Sequence, residues 1–204
     1  MKKAMLDQTG SVLVDNFDSN SGGVPAHWSQ IFDPRGSVVE KLHDVTITDT
    51  TGNHAGIASS TAFDPEGVVT TIEVLINGIN ADGNAIFGLI GLDAQGNVKG
   101  ELGAGIDAAG NVFVVVQTEP NPVPLPSFGG YRGGKTTLTL VIKPDRVRVT
   151  AQGYDSGDKP FSQLGNFSLS AAFGTVAIPV LVGASQPNQK GGQARFGSVS
   201  VSTQ

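Results

Sequence analysis

Residues 68–118 read VVTTIEVLINGINADGNAIFGLIGLDAQGNVKGELGAGIDAAGNVFVVVQT, and three look-alike turns divide them. The turns are Asn80-Ala81-Asp82-Gly83-Asn84, Asp93-Ala94-Gln95-Gly96-Asn97 and Asp107-Ala108-Ala109-Gly110-Asn111. An Asx side chain caps a reversal of the chain, and a glycine takes the positive φ that other residues adopt only at a cost. β-type residues flank every turn. The stretch therefore predicts three hairpins in series, a four-stranded antiparallel meander. With simple five-residue reversals, Ile79 would face Ala85, Leu92 would face Val98, and Ile106 would face Val112.

That register sorts the side chains. Even-numbered positions such as Ile72, Val74, Ile76, Ile86, Ile90, Leu102, Ile106 and Val114 share one face. This set is almost purely aliphatic and is the expected core. The odd face mixes Glu73, Lys99, Glu101, Gln117 and Glu119 with Leu75, Asn77, Phe87, Leu89 and Gly103. Charge at one end and apolar groups at the other suit a ligand groove better than a plain solvated surface.

Outside the meander, β-type runs continue at 11–17, 36–42, 55–60, 136–142, 146–151, 175–184 and 194–201. Strict alternation marks Thr137-Leu138-Thr139-Leu140 and Arg146-Val147-Arg148-Val149. One short helix is expected over 167–173. Regularly spaced strands without intervening helices predict an all-β, two-sheet antiparallel jelly-roll sandwich. Residues 1–10 are expected to be a disordered or added N-terminal stretch, with a single domain over 11–204.

Composition narrows the functional classes. The chain has 204 residues, 28 of them glycine, which fits a turn-rich β protein. A formal net charge of −5, with no basic run, argues against nucleic acid as a partner. No apolar stretch is long enough for a transmembrane helix. The absence of cysteine removes disulfides, thiolate metal sites and cysteine nucleophiles. The lysine-poor, Gly/Asn/Thr-rich character points to an exported bacterial protein, extracellular or at the cell surface.

The opening Val12-Leu13-Val14-Asp15-Asn16-Phe17-Asp18, followed by Trp28, resembles the start of concanavalin A-like lectin/glucanase domains, a superfamily that includes laminin-G-like and carbohydrate-binding modules. The ending Ala194-Arg195-Phe196-Gly197-Ser198-Val199-Ser200-Val201 resembles the closing strand of that group. The resemblance implies a jelly roll whose first and last strands lie side by side. Two departures stand out. Gly197 and Ser198 occupy positions that are often acidic, and the E-x-D-x-E strand of the superfamily's retaining glucanases is absent.

Several residues carry candidate chemistry. Glu101 and Glu119 fall on adjacent strands, diagonal in register at roughly 7–8 Å, a spacing that acid and base carboxylates of a glycosidase can use. A simple salt-linked surface cluster with Lys99 explains them without any catalytic role. Tyr131 and Arg132, in the Pro/Gly-rich segment 119–134, suit sugar stacking and contact with an oxygen-rich group. Trp28 reads as a core plug. Asp15 and Asp18 offer hard oxygen ligands for a structural calcium, and no other cofactor is called for.

The resulting reading is a non-catalytic, lectin-like module for an oligo- or polysaccharide. Its ligand contacts would be Asn77, Lys99, Glu101, Gln117, Glu119, Tyr131 and Arg132. A glycan hydrolase or lyase on the same scaffold, and a self-assembling surface domain, are the alternatives.

Overall fold

The computed structural model describes residues 10–52, 54–107, 109–118, 121–123, 135–143, 146–154, 160–168 and 175–204, with backbone alone for 116–118, 121–123, 146–154 and 160–168. Every regular element among them is a strand. In chain order they are β1 (Gly10–Asp15), β2 (Trp28–Phe32), β3 (Ser37–Lys41), β4 (Asp44–Thr48), β5 (His54–Ser59), β6 (Thr70–Ile79), β7 (Gly83–Leu92) and β8 (Val98–Asp107). There follow β9 (Val112–Thr118), β10 (Asn121–Val123), β11 (Thr136–Lys143), β12 (Arg146–Tyr154), β13 (Pro160–Ser168), β14 (Val176–Ser185) and β15 (Gln193–Thr203).

These strands form two antiparallel sheets. One has eight strands in the order β13-β12-β11-β6-β15-β4-β3, with β1 also paired to β15. The other has seven, in the order β10-β9-β8-β7-β14-β5-β2. β1 lies beside β15, Asp15 opposite Val199 and Gly10 opposite Thr203, so the first and last strands are neighbours as the termini implied. The core sits between the sheets. Ile72, Val74, Ile76, Leu138, Leu140, Phe196 and Val201 from one sheet meet Phe87, Leu89, Leu102, Ile106, Val112 and Leu181 from the other, all buried. At about 1.5–3 kcal/mol per buried large aliphatic side chain, this seam is the main source of stability.

Three expectations are corrected. The four-stranded meander is three strands, because β6 belongs to the eight-stranded sheet and β7 to the other. The first turn is therefore a crossing between sheets, and Ile79 does not face Ala85. Its chemistry differs accordingly. Asp93 and Asp107 fold back on their own turns, each accepting the backbone N–H and Nδ2 of the asparagine four residues on (2.7–3.0 Å). Asn80 instead reaches across the chain, accepting from Gln193 N at 2.8 Å and donating to the Gly191 carbonyl at 2.8 Å. Gly96 and Gly110 have the expected positive φ, 86° and 84°, whereas Gly83 is already part of β7.

The second correction concerns β7, which is out of step with the even-face rule. Leu92 does face Val98, but the next pair is Gly91 with Gly100, so Lys99 is an extra residue in β8. A bulge of one residue inverts the parity of everything beyond it. Ala85, Phe87 and Leu89 consequently point into the core, and Ile86, Ile90 and Leu92 point outward. Parity is kept across β8 and β9, where Ile106 faces Val112. Third, Phe167 and Ser168 continue β13, paired with Val147 and Arg146, where a helix is expected from 167. Cross-strand pairing overrides the local propensity there; 169–173 lie outside the described residues.

Buried carboxylates fasten the loops. Glu40, 1% exposed, receives the N–H groups of Ser19 (3.0 Å) and Ser21 (3.2 Å) together with the Ser19 hydroxyl. Burial, the largest single influence, would raise its pKa, but the combined hydrogen bonds from Ser19 and Ser21 hold it below its ordinary 4.5. A carboxyl lowered in this way contributes stability that is complete above the unfolded value and disappears as pH falls through the folded one. Glu40→Ala should cost about 1–2 kcal/mol in urea denaturation at pH 7, since the donors it abandons sit at exposed residues and can be rehydrated. The gap between wild type and Glu40→Ala should narrow as the pH is taken from 5 to 3.

Candidate functional site

The parity inversion in β7 decides what lies on the outer face of the seven-stranded sheet. Across β9, β8, β7, β14 and β5, one row reads Val115, Gly103, Gly88, Val180, Ala58. The next reads Phe113, Gly105, Ile86, Val182, Gly56. A third places Gln117, Glu101, Ile90 and Ile178 side by side. The face is thus aliphatic and glycine-rich, with Glu101 set at one side. A shallow, open groove runs over it, lined by Phe32, Ile86, Ile90, Glu101, Val180 and Val182 among others. Val180 and Val182 are 8% and 5% exposed although they point outward, so they form a recessed floor.

Glycines shape that floor. Gly88 faces Gly103 across β7 and β8. A Cβ on Gly103 would come within 2.5 Å of the Phe87 carbonyl oxygen, so only hydrogen fits. Two further glycines are roofed by aromatic rings. The Phe113 ring edge takes the space beside Gly105, 2.7 Å from where its Cβ would lie, and the Phe32 ring sits over Gly56 at 3.2 Å from the equivalent point. Phe113 and Phe32 therefore stand over β8 and β5, three strand spacings or roughly 14 Å apart.

Phe32 is the unusual residue on this face. It closes β2 opposite Ala55, whose side chain is in the core, so strand parity would turn Phe32 inward. Its φ of 62° turns it outward instead, and the ring is 46% exposed on the groove wall, edge-on to His54 at 6.1 Å. A bulky residue in left-handed backbone is strained and needs its surroundings to hold it there. Asp33, next in the chain, does so. Its N–H reaches the His54 carbonyl (3.1 Å) and its carbonyl receives Gly36 N (3.0 Å). Its carboxylate accepts from the Thr51 hydroxyl and from Arg35 N and Nε at 2.9 and 3.2 Å. The Thr51 hydrogen bond, foremost, and those from Arg35 keep the Asp33 carboxyl below the usual range against the effect of burial.

Glu101 is the sole ionisable group among the described residues lining the groove. It makes no hydrogen bond or ion pair with any described residue. Gln117 lies opposite it on β9, as the register predicted. The other expected contacts disperse. Asn77 belongs to the far sheet, where its side-chain amide donates to the Asp44 carboxylate and its backbone carbonyl receives Arg195 Nη2 at 3.0 Å. This corrects its placement in the groove, and the cause is the crossing at Asn80. Lys99 sits in the bulge, its ammonium 3.8 Å from Asp93. Glu119, Tyr131 and Arg132 lie outside the described residues. Asp15 and Asp18 serve separate partners. Asp15 accepts Phe17 N at 2.8 Å and Trp28 Nε1 at 2.7 Å, and Asp18 meets His43 Nδ1 at 2.6 Å. Among the described residues no three His, Asp or Glu side chains gather as a metal site would require. Trp28 is 7% exposed against Phe17, the core plug the sequence suggests.

No protein-family model matches the chain, and no curated protein matches it in sequence. Solved structures do match. The CBM2 module of the evolved Dit of Lactobacillus casei BL23 phage J-1 superposes with a TM-score of 0.64 at 13% identity, over 95% of each chain. An immunostimulatory antigen and pseudo β-1,3-glucanase of Mycobacterium tuberculosis gives 0.62 at 18% identity, covering 96% of this chain and 99% of that one. The metal-free form of lectin I-B4 from Griffonia simplicifolia gives 0.59 at 12% identity, over 94% and 99%. The fold is the concanavalin A-like jelly roll of lectins and glucanases, and at these identities the likeness is one of fold.

Gly103→Ala should destabilise the protein by about 1–3 kcal/mol, because its Cβ meets backbone that cannot move aside. Gly23→Ala, with open space at its Cβ and no positive φ, should be close to neutral or slightly stabilising. Chemical denaturation of the pair separates close packing from loss of glycine as such.

Proposed function

We propose that the chain is a non-catalytic carbohydrate-binding module of an exported or surface protein, and that its ligand lies in the groove on the outer face of the seven-stranded sheet. The observation that carries this reading is Phe32, held in strained backbone so that its ring forms a wall of the groove. Strain retained next to a surface recess marks a place where the ring's position matters more than its conformational cost. Sugar rings present C–H faces that pack on such a ring and on an aliphatic floor. Glu101 supplies a polar group at one side, with Gln117 opposite it in register on β9. Tyr131 and Arg132 remain the further contacts expected from the sequence. The lectin and module folds among the structural neighbours support the same class of ligand.

A glycosidase needs two carboxylates, or a carboxylate and a nucleophile, around one bond. Glu101 is the only carboxylate among the described lining residues, which favours binding over hydrolysis. A shallow site of this kind gives weak monovalent affinity, and several copies in an assembly would supply avidity.

On a glycan array followed by titration calorimetry, the wild-type chain should bind a subset of oligosaccharides. Phe32→Ala should weaken that binding about tenfold or more while leaving the thermal midpoint nearly unchanged or raised. Absence of binding to every glycan at millimolar concentration would overturn the reading. Release of reducing sugar would replace it with the enzymatic one.

A further inference from the structure

The charge in the groove points to a more specific ligand, a conclusion that rests on the carbohydrate-binding reading. Its floor and walls are made by Ile86, Ile90, Val180, Val182 and Phe32, none of which can pair with a hydroxyl. Glu101 is the single charged group among the described lining residues. Most carboxylates of this chain that are withdrawn from water have settled partners. Glu40 has Ser19 and Ser21, Asp49 has Thr51, Gly52 and Ser185, and Asp33 has Thr51 and Arg35. Glu101 has none among the described residues, although it is only partly exposed and lies in register between Ile90 and Gln117. The nearest cation along its own strand, Lys99, is carried away by the bulge and faces Asp93 at 3.8 Å.

A carboxylate beside an apolar floor is poorly hydrated on that side and gains most from a group that brings both a positive charge and hydrogen-bond donors. A neutral hydroxyl brings donors alone. The overall charge of −5 adds a long-range attraction of the same sign. We infer that the groove selects an amine-bearing glycan, a chain of 2-amino-2-deoxy sugars with free ammonium groups. The C–H faces of its rings lie on the aliphatic floor and against Phe32, and one ammonium pairs with the Glu101 carboxylate. N-acetylation of that amine removes the charge, adds bulk and leaves Glu101 without its counterion.

The test compares three soluble hexasaccharides of equal length by calorimetry on the full chain: glucosamine, N-acetylglucosamine and glucose. A hexalysine peptide is the fourth probe. The glucosamine hexamer should bind about tenfold or more tightly than either neutral sugar, as expected of a charge-assisted hydrogen bond. Its affinity should fall with added salt. Glu101→Gln, which keeps the shape, should abolish that preference, bringing the glucosamine hexamer down to the affinity of the neutral hexamers. Glu101→Lys should eliminate glucosamine binding, and the melting curves of both variants should match wild type. Equal or tighter binding of the neutral hexamers would overturn the charge assignment and leave the glycan reading standing. So would a glucosamine preference that survives Glu101→Gln. Hexalysine binding as tightly as the amino sugar would show that an ammonium suffices, and would overturn the sugar ligand. Binding of none of the sugars would remove the glycan reading itself.

Discussion

A single extra residue, Lys99, governs the character of this molecule's surface. Side chains in a pleated strand alternate, so a strand of mixed composition can present either of two faces to the core. The bulge at Lys99 selects Ala85, Phe87 and Leu89 for the interior and leaves Ile86, Gly88 and Ile90 outside. The interior gains a phenylalanine and a leucine that fill the space opposite β6 and β15. The exterior receives β-branched aliphatics and glycines, which produce a recess lined by apolar groups. Without the extra residue, the two sets would change places and Glu101 would face a different neighbour on β7.

The glycines then set how closely the backbones approach. Gly88 and Gly103 oppose each other, and Gly105 and Gly56 leave their pleats bare for aromatic rings to cover. A ring laid over a glycine protects the backbone hydrogen bonds beneath it and recovers packing that the missing side chain would have supplied. On this face the device has a second consequence, because rings raised over glycines become walls beside a low aliphatic floor. Phe32 differs from Phe113 in reaching its place through left-handed backbone. That choice is maintained by a network centred on the Asp33 carboxylate, so a buried acid at the end of β2 positions an apolar wall. The acidic balance of the chain is in part the cost of such anchors, Glu40 and Asp49 among them.

Much of this architecture is legible in the sequence. The alternating runs Thr137–Leu140 and Arg146–Val149 are strands, the termini are adjacent, and the turns at Asp93 and Asp107 are hairpin turns with glycine at positive φ. The turn at Asn80 has the same five-residue pattern, yet it joins two sheets. Turn chemistry reports that the chain reverses and is silent on whether the next strand pairs with the last. What distinguishes Asn80 is its bonding to Gln193 and Gly191, more than a hundred residues away in sequence, and local reading has no access to that. The bulge is similarly hidden, since Lys99 is an ordinary residue for a strand. Trp28–Phe32 and Asp44–Thr48 escape a sequence reading because short runs with Ser, Gln and Thr lack a strong alternation signal. With β2 unread, Phe32 cannot be seen as part of a site. Glu101 and Gln117 are found because parity is preserved between β8 and β9.

The composition of the groove constrains what kind of discrimination it can perform. Lectin-type selectivity among epimers depends on several directional hydrogen bonds, each of which fails when a hydroxyl is inverted. A floor of Ile, Val and Gly offers no such directional groups, and its contribution depends on area and shape. In the proposed binding mode, ring stacking on Phe32 would distinguish sugars whose C–H groups gather on one face from those whose hydroxyls interrupt it. In the same mode, charge at Glu101 would distinguish an ammonium from a hydroxyl or an amide, with a penalty for leaving the carboxylate unpaired. The two criteria are independent, one set by β2 and the other by β8. They sit on elements that share a sheet, so their separation is fixed by strand spacing rather than by loop conformation. A site built this way would read the face and charge of a repeating chain, and it would tolerate differences at hydroxyls pointing away from the sheet.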